Sequence, residues 1–324
     1  MDQTKSQTIF KAFFSVFKQA ILTVGSHIYL VIFPLALDLF LLFGPRVVLS
    51  QVLNPTLMAL PAINNFEQQF DLSWEAFITR MMESIAQFNA FSSLRTLPFG
   101  LPSLISQRLG NLNPFGESSV VNLTNIGNAL LFFVISALIG ILLGTIYFTL
   151  IAKAVRQASS EISKTTKSFL STYFNLVAFN LLIWLLALVL LIPIVLLIGL
   201  LIRLSAGLGY FVYMVVIVFL LSFLMPLVFT PLFVIAERTN IFQAALKSVR
   251  FTRMSGVLAS FFIVLSISFS YLTNMLWNSA PNSSPFVLVG VFGHALVTTI
   301  LLTAGFHFIA WLDRPDTSQK PLII

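Results

Sequence analysis

Apolar residues in this chain run in blocks. Stretches at about 21–44, 127–152, 172–202, 207–236, 257–278 and 286–312 each reach the roughly 20 residues a helix needs to cross a bilayer. Pro45 and Arg46 end the first, a short turn at Ser205-Ala206 separates the third from the fourth, and Asn278 to Pro285 links the last pair. Pro193 in the third and Pro226 and Pro231 in the fourth predict kinks rather than ends, because neighbouring helices re-satisfy the carbonyls that proline frees. The third run exceeds the hydrocarbon core of about 30 Å, so it tilts strongly or its outer end stands clear of the membrane.

A second pattern precedes each odd-numbered span. In 1–20, Ile9, Phe10, Phe13, Phe14, Phe17 and Ile21 recur at helical spacing with Lys11 and Lys18 on the flanks. In 237–256, Ile241, Phe242, Ala245, Leu246 and Val249 form the stripe, and Lys247, Arg250 and Arg253 follow another face. Asn240 with Gln243 suits a helix start. The middle stretch, 153–171, is basic but less clearly amphipathic. Two readings stand: three pseudo-symmetric units, or helices at a surface that need an apolar face for lipid and Lys/Arg for headgroups.

The segment 45–126 departs from this plan. Trp74, Phe77, Ile78, Met81, Met82, Ile85 and Phe88 make a helical stripe, which Asp71 or Ser73 can cap. The following Leu97-Pro98-Phe99-Gly100-Leu101-Pro102 is apolar but too broken for a regular helix. It is either a lid or re-entrant element over an outer cavity, or a cap over the protruding ends of the third and fourth helices.

Composition turns these patterns into a class. The 324 residues are 58% hydrophobic and 9% charged, against about 25% charged in soluble domains, so lipid is the expected solvent. The absence of Cys removes disulfides and thiolate metal sites. No cofactor or metal is expected. The formal net charge of +7 sits beside apolar spans, which suits anionic headgroups better than nucleic acid.

Charge also orients the chain. With the N-terminus inside, thirteen of the eighteen Lys and Arg fall in inner segments. Four of the other five, Arg46, Arg80, Arg95 and Arg108, lie in 45–126, a loop longer than the roughly 60 residues over which the positive-inside rule holds. Both termini, including the tail 313–324, are therefore expected in the cytoplasm of a multi-pass cell-membrane protein. Lys11, Lys18, Lys153, Arg156, Lys247, Arg250 and Arg253 are the expected headgroup contacts.

Ionisable groups inside spans mark sites by default. Asp38 lies about 10 Å below the outer end of the first span, counting 1.5 Å per residue, and His294 sits at a similar depth in the sixth. An Asp38–His294 pair is possible, and Arg203 is the other candidate partner. Thr299, Thr303 and His307 form a polar stripe in the sixth span, and Ser266, Ser270 and Asn274 another in the fifth. Such hydroxyls either line a polar path or bond to neighbouring helices and their own backbone. Gly140 and Gly144 form a GxxxG that permits close helix approach. No HExxH, Gly-x-Ser-x-Gly or phosphate-binding Gly-Lys-Ser/Thr is present, so the motifs of common hydrolases and ATPases are missing.

The stretch Pro231 to Arg253 resembles a segment of bacterial six-helix proteins related to the membrane domain of some glycerophosphodiester phosphodiesterases. The matching positions are Pro231, Glu237, Ala245, Leu246, Ser248, Arg250 and Arg253. The resemblance implies a six-span inner-membrane architecture and no catalytic residue. The expected fold is all-α and polytopic: six transmembrane helices, amphipathic interfacial helices and a helical extracytoplasmic insertion. Two functions stay open. One is a non-enzymatic protein that organises membrane lipids or a protein partner or oligomer; the other is a transporter or permease subunit with a polar site near Asp38.

Overall fold

The computed structural model describes residues 3–51, 84, 87–110, 113–159, 168–281 and 284–312. They form helices α1 (Gln3–Ser26), α2 (Ile32–Phe43), α3 (Ile126–Ser159), α4 (Phe169–Leu204), α5 (Ala206–Leu224), α6 (Thr230–Glu237), α7 (Ile241–Trp277) and α8 (Val287–Leu312). Five helical stretches are long and apolar enough to cross a membrane, and a bent pair makes a sixth. The chain is an all-α, multi-pass membrane protein.

The first span differs from expectation. Instead of one helix over 21–44, α1 continues to Ser26 and the chain turns 91° into Ile28–Phe43. The sequence Gly25-Ser26-His27 explains the break. The Ser26 hydroxyl donates to the Leu22 and Thr23 carbonyls at 3.0 Å, and His27 Nδ1 lies 3.0 Å from the Thr23 carbonyl. Local bonds of this kind compete with helix continuation. Pro34 then opens α2, where a continuous helix would need its missing N–H.

Helix α1 packs against α8. Phe13 packs on Phe308 at 6.2 Å between ring centroids, while Thr23 bonds to His307 at 2.9 Å. Ten residues of α1, roughly 15 Å, thus face two adjacent residues of α8. Phe13 belongs to an aromatic cluster with Phe229, Phe262 and Phe308, in which Phe262 and Phe308 stack at 4.4 Å. This cluster fastens the first basic helix to the bundle. The third basic helix is the start of α7, and it breaks at Gly256 (φ 25°, ψ −98°), the boundary expected between amphipathic and spanning parts.

The joint between α5 and α7 runs through a short turn and α6. A 3-10 turn at Met225–Leu227 interrupts the fourth span. Buried Ser248 donates to the Pro226 carbonyl there at 2.5 Å. Glu237 pairs with Lys247, whose ammonium also lies 5.0 Å from the centre of the Phe233 ring. Asn240 stands at the N-cap of α7 without a side-chain cap bond; Asn175 of α4 accepts from Ile241 N instead.

Helix α4 has 36 residues, about 54 Å at 1.5 Å per residue. The Tyr173 hydroxyl donates to the Leu138 carbonyl of α3. From that level α3 has only 12 residues to its start, so α4 runs far beyond it or splays away. The α4–α5 hairpin exposes Trp184, Leu188, Phe211 and Phe219.

Candidate functional site

The helical stripe expected from Trp74 to Ile85 lies outside the described residues, as do 160–167 and 313–324. The part of the insertion that is described does not cap the third and fourth spans: it re-enters the bundle between α2 and α3. A 3-10 turn at Ala90–Leu94 starts it, with Asn89 Oδ1 accepting from Phe91 N and also from Val47 N. The chain then passes Gly100 and Leu101 and forms a second 3-10 turn at Ile105–Gln107. Parallel strands β1 (Arg46–Val48) and β2 (Val120–Asn122) join the two ends of the insertion.

Gly140 and Gly144 make this entry possible. A Cβ at Gly140 would collide with the Leu94 carbonyl, and one at Gly144 would lie 3.0 Å from Gly100 Cα. The GxxxG of α3 therefore receives the loop's backbone, not another helix. Further in, Phe99 packs on Phe148 at 4.4 Å. That contact is 22 residues into α3, roughly 33 Å from its start.

Asp38 holds the loop from the other side. Its carboxylate is fully buried and accepts from Ser103 Oγ at 2.5 Å, Leu104 N at 3.0 Å and Ile105 N at 3.0 Å. Ser103 Oγ also accepts from Ser106 N. The carboxylate thus sits at the start of the second 3-10 turn, where backbone N–H groups lack intrahelical partners. Two cations of the same loop, Arg95 and Arg108, feel its charge. Burial lowers the Arg95 and Arg108 pKa values, and the charge of Asp38 opposes that shift. Arg95 donates to Ser106 Oγ. Arg108 reaches across to the end of α7 and donates to Trp277 O at 3.1 Å and Asn278 Oδ1 at 2.8 Å. A cation at carbonyls of a helix C-terminus is favourably placed.

Of the two candidate partners for Asp38, His294 is not the one it meets. His294 Nδ1 meets Asn274 Oδ1 at 2.8 Å, and its Nε2 is buried without a hydrogen-bond partner. The physical reason is steric: the loop occupies the space on α2 that faces Asp38. The side chains of Arg203 and Lys11 lie outside the described residues. Of the polar stripes, Asn274 meets His294, which belongs to neither. Thr299 bonds to Tyr147 at 2.8 Å, Thr303 donates to the Thr299 carbonyl, and His307 bonds to Thr23. Ser266 Oγ is buried without a hydrogen-bond partner, and Ser270 accepts the Thr273 hydroxyl at its carbonyl. Of the basic residues, Lys18, Lys153, Arg250 and Arg253 are exposed, and Arg156 is half-buried. Lys247 is engaged by Glu237, so it is a structural ion pair first.

Tyr147, Ser103 and Arg108 carry much of this arrangement, and the sequence offered little to single them out. A lone Tyr in a span or a Ser in a loop has no periodic signature.

A cavity of about 400 Å³ lies beside the loop, lined by residues of α2, α3, Leu94 and Leu101. Its walls are apolar side chains. Helices α2 and α3 meet at Phe33–Tyr147, with ring centroids 5.7 Å apart. Nearer the C-terminal end of α2, Phe91 bridges them, 5.1 Å from Phe40 and 5.0 Å from Phe132. Ile32 and Ile139, 59% and 44% exposed, mark its open side.

These features define a multi-pass α-helical membrane protein with a charge-clamped loop wedged between two of its spans. Comparison with known protein families, characterised proteins and solved structures finds no match.

Proposed function

We propose that this protein is a non-enzymatic component of the cell membrane that organises lipids or a partner protein. The observation that carries this reading is the state of Asp38. An acidic group within the spans marks a functional site by default, transport among them. Here its carboxylate is taken up by three donors of one loop. The cavity beside it has apolar walls, which suits hydrocarbon better than an ion or polar solute.

In this reading both termini are cytoplasmic, and Lys18, Lys153, Arg250 and Arg253 meet anionic headgroups. Kinship with the glycerophosphodiester phosphodiesterase membrane domains is part of the proposal and rests on residues 231–253. The test is reconstitution of the full chain in vesicles, with proton flux recorded and co-purified lipids and proteins identified by mass spectrometry. Retained lipid or a stoichiometric partner without flux is the expected result. A proton flux that Asp38→Asn abolishes without changing the melting temperature would overturn it.

A further inference from the structure

We propose that the cavity between α2 and α3 is a binding site for the acyl chain of a membrane lipid. This rests on the lipid-organising reading above and names where the lipid sits. Four observations carry it.

The cavity lies at span depth, because its walls are Ala36 and Phe40 of α2 and Ile139 and Leu143 of α3. It is a built space rather than a gap between loosely packed helices. The Asp38-clamped loop holds α2 and α3 apart, with Leu94 and Leu101 as the back wall. Phe33 and Phe40, which line it, are each held by an aromatic contact, Phe33 by Tyr147 and Phe40 by Phe91, which also meets Phe132. The opening is sideways, where lipid tails lie.

Size and chemistry agree. A volume of about 400 Å³ leaves room for a stretch of one acyl chain. A headgroup would be left unpaired among such side chains, so the occupant is hydrocarbon. Chain exchange with the surrounding bilayer needs no opening motion, since Ile32 and Ile139 already border lipid.

The test uses the full chain in nanodiscs containing a phospholipid with a photoreactive diazirine on its acyl chain, followed by peptide mapping. Labelling is expected to concentrate on segments 32–40 and 139–143 over the exposed hairpin face at 215–219. Ala36→Trp, which fills the cavity, should reduce cavity labelling about tenfold, the change that a loss of about 1.4 kcal/mol brings, and leave hairpin labelling unchanged. Ala36→Leu serves as a gentler filler if the Trp variant unfolds. Labelling equal at cavity and hairpin, or indifferent to both fillers, would overturn the site. That outcome is separable from failure of the broader reading, which is read from Asp38-dependent flux.

Discussion

Asp38 and Ser103, 65 residues apart in sequence, share a 2.5 Å hydrogen bond inside the bundle. Around it the Leu104 and Ile105 amides complete a clamp on one carboxylate. Asp38→Ala leaves three buried donors unsatisfied, which should lower stability by about 3 kcal/mol. Ser103→Ala removes one donor and should cost about 1 kcal/mol. Hydrogen exchange at Leu104 and Ile105 is the specific readout. Protection there should fall in Asp38→Ala and largely persist in Ser103→Ala. Unchanged protection in both variants would refute the clamp.

Gly140 and Gly144 receive backbone, which cannot move aside as a flexible side chain can. Gly144→Leu should expel the loop and lower the melting temperature in detergent by several degrees, as overpacking costs about 1–3 kcal/mol. Gly199, where an added Cβ meets nothing within 4 Å, is the control. Gly199→Ala should melt at or slightly above the parent temperature, and a larger drop there than at Gly144 would contradict the close approach.

Arg108 ties the loop to the last carbonyl of α7, at Trp277, and to the Asn278 side chain. Arg108→Ala should cost about 1–2 kcal/mol, and Arg108→Lys should recover only part, because a point charge cannot reproduce the fork of donors. Equal stability of all three forms, measured by thermal unfolding, would show the contact to be incidental.

Tyr147 and Thr299 join α3 to α8 at full burial. Tyr147→Phe should cost about 1 kcal/mol and Thr299→Val a similar amount. In a double-mutant cycle the second loss should shrink once the first is made. Strict additivity would mean the two hydroxyls do not depend on each other.

The chain has no cysteine, so single-cysteine labelling can test its orientation cleanly. A membrane-impermeant thiol reagent should label Ser119→Cys in intact cells. Lys18→Cys and Arg250→Cys should react only after permeabilisation. The reverse pattern would invert the proposed topology.

The sequence by itself determined the class and most of the spans. Long apolar runs carry that information locally, because a bilayer demands about 20 apolar residues whatever the helix packs against. The excess length of α4 and the break at Gly256 were legible for the same reason. The 91° turn at His27 was less so, since Gly-Ser-His within an apolar run is compatible with a continuous helix until Pro34 is weighed with it. Asp38 stood out from its depth alone, but its partner stayed open between His294 and Arg203, and the donors it finds lie in a loop. Counting residues along helices gives depth, but it gives neither the direction a side chain faces nor which loop re-enters beside it. Gly140 and Gly144 suggested close approach without saying to what. Only the tertiary structure decided that the loop around Phe99 and Ser103 wedges between α2 and α3, binds Asp38 and leaves an apolar cavity. Those facts depend on contacts between residues some 40 to 170 positions apart, and no local pattern encodes such pairings.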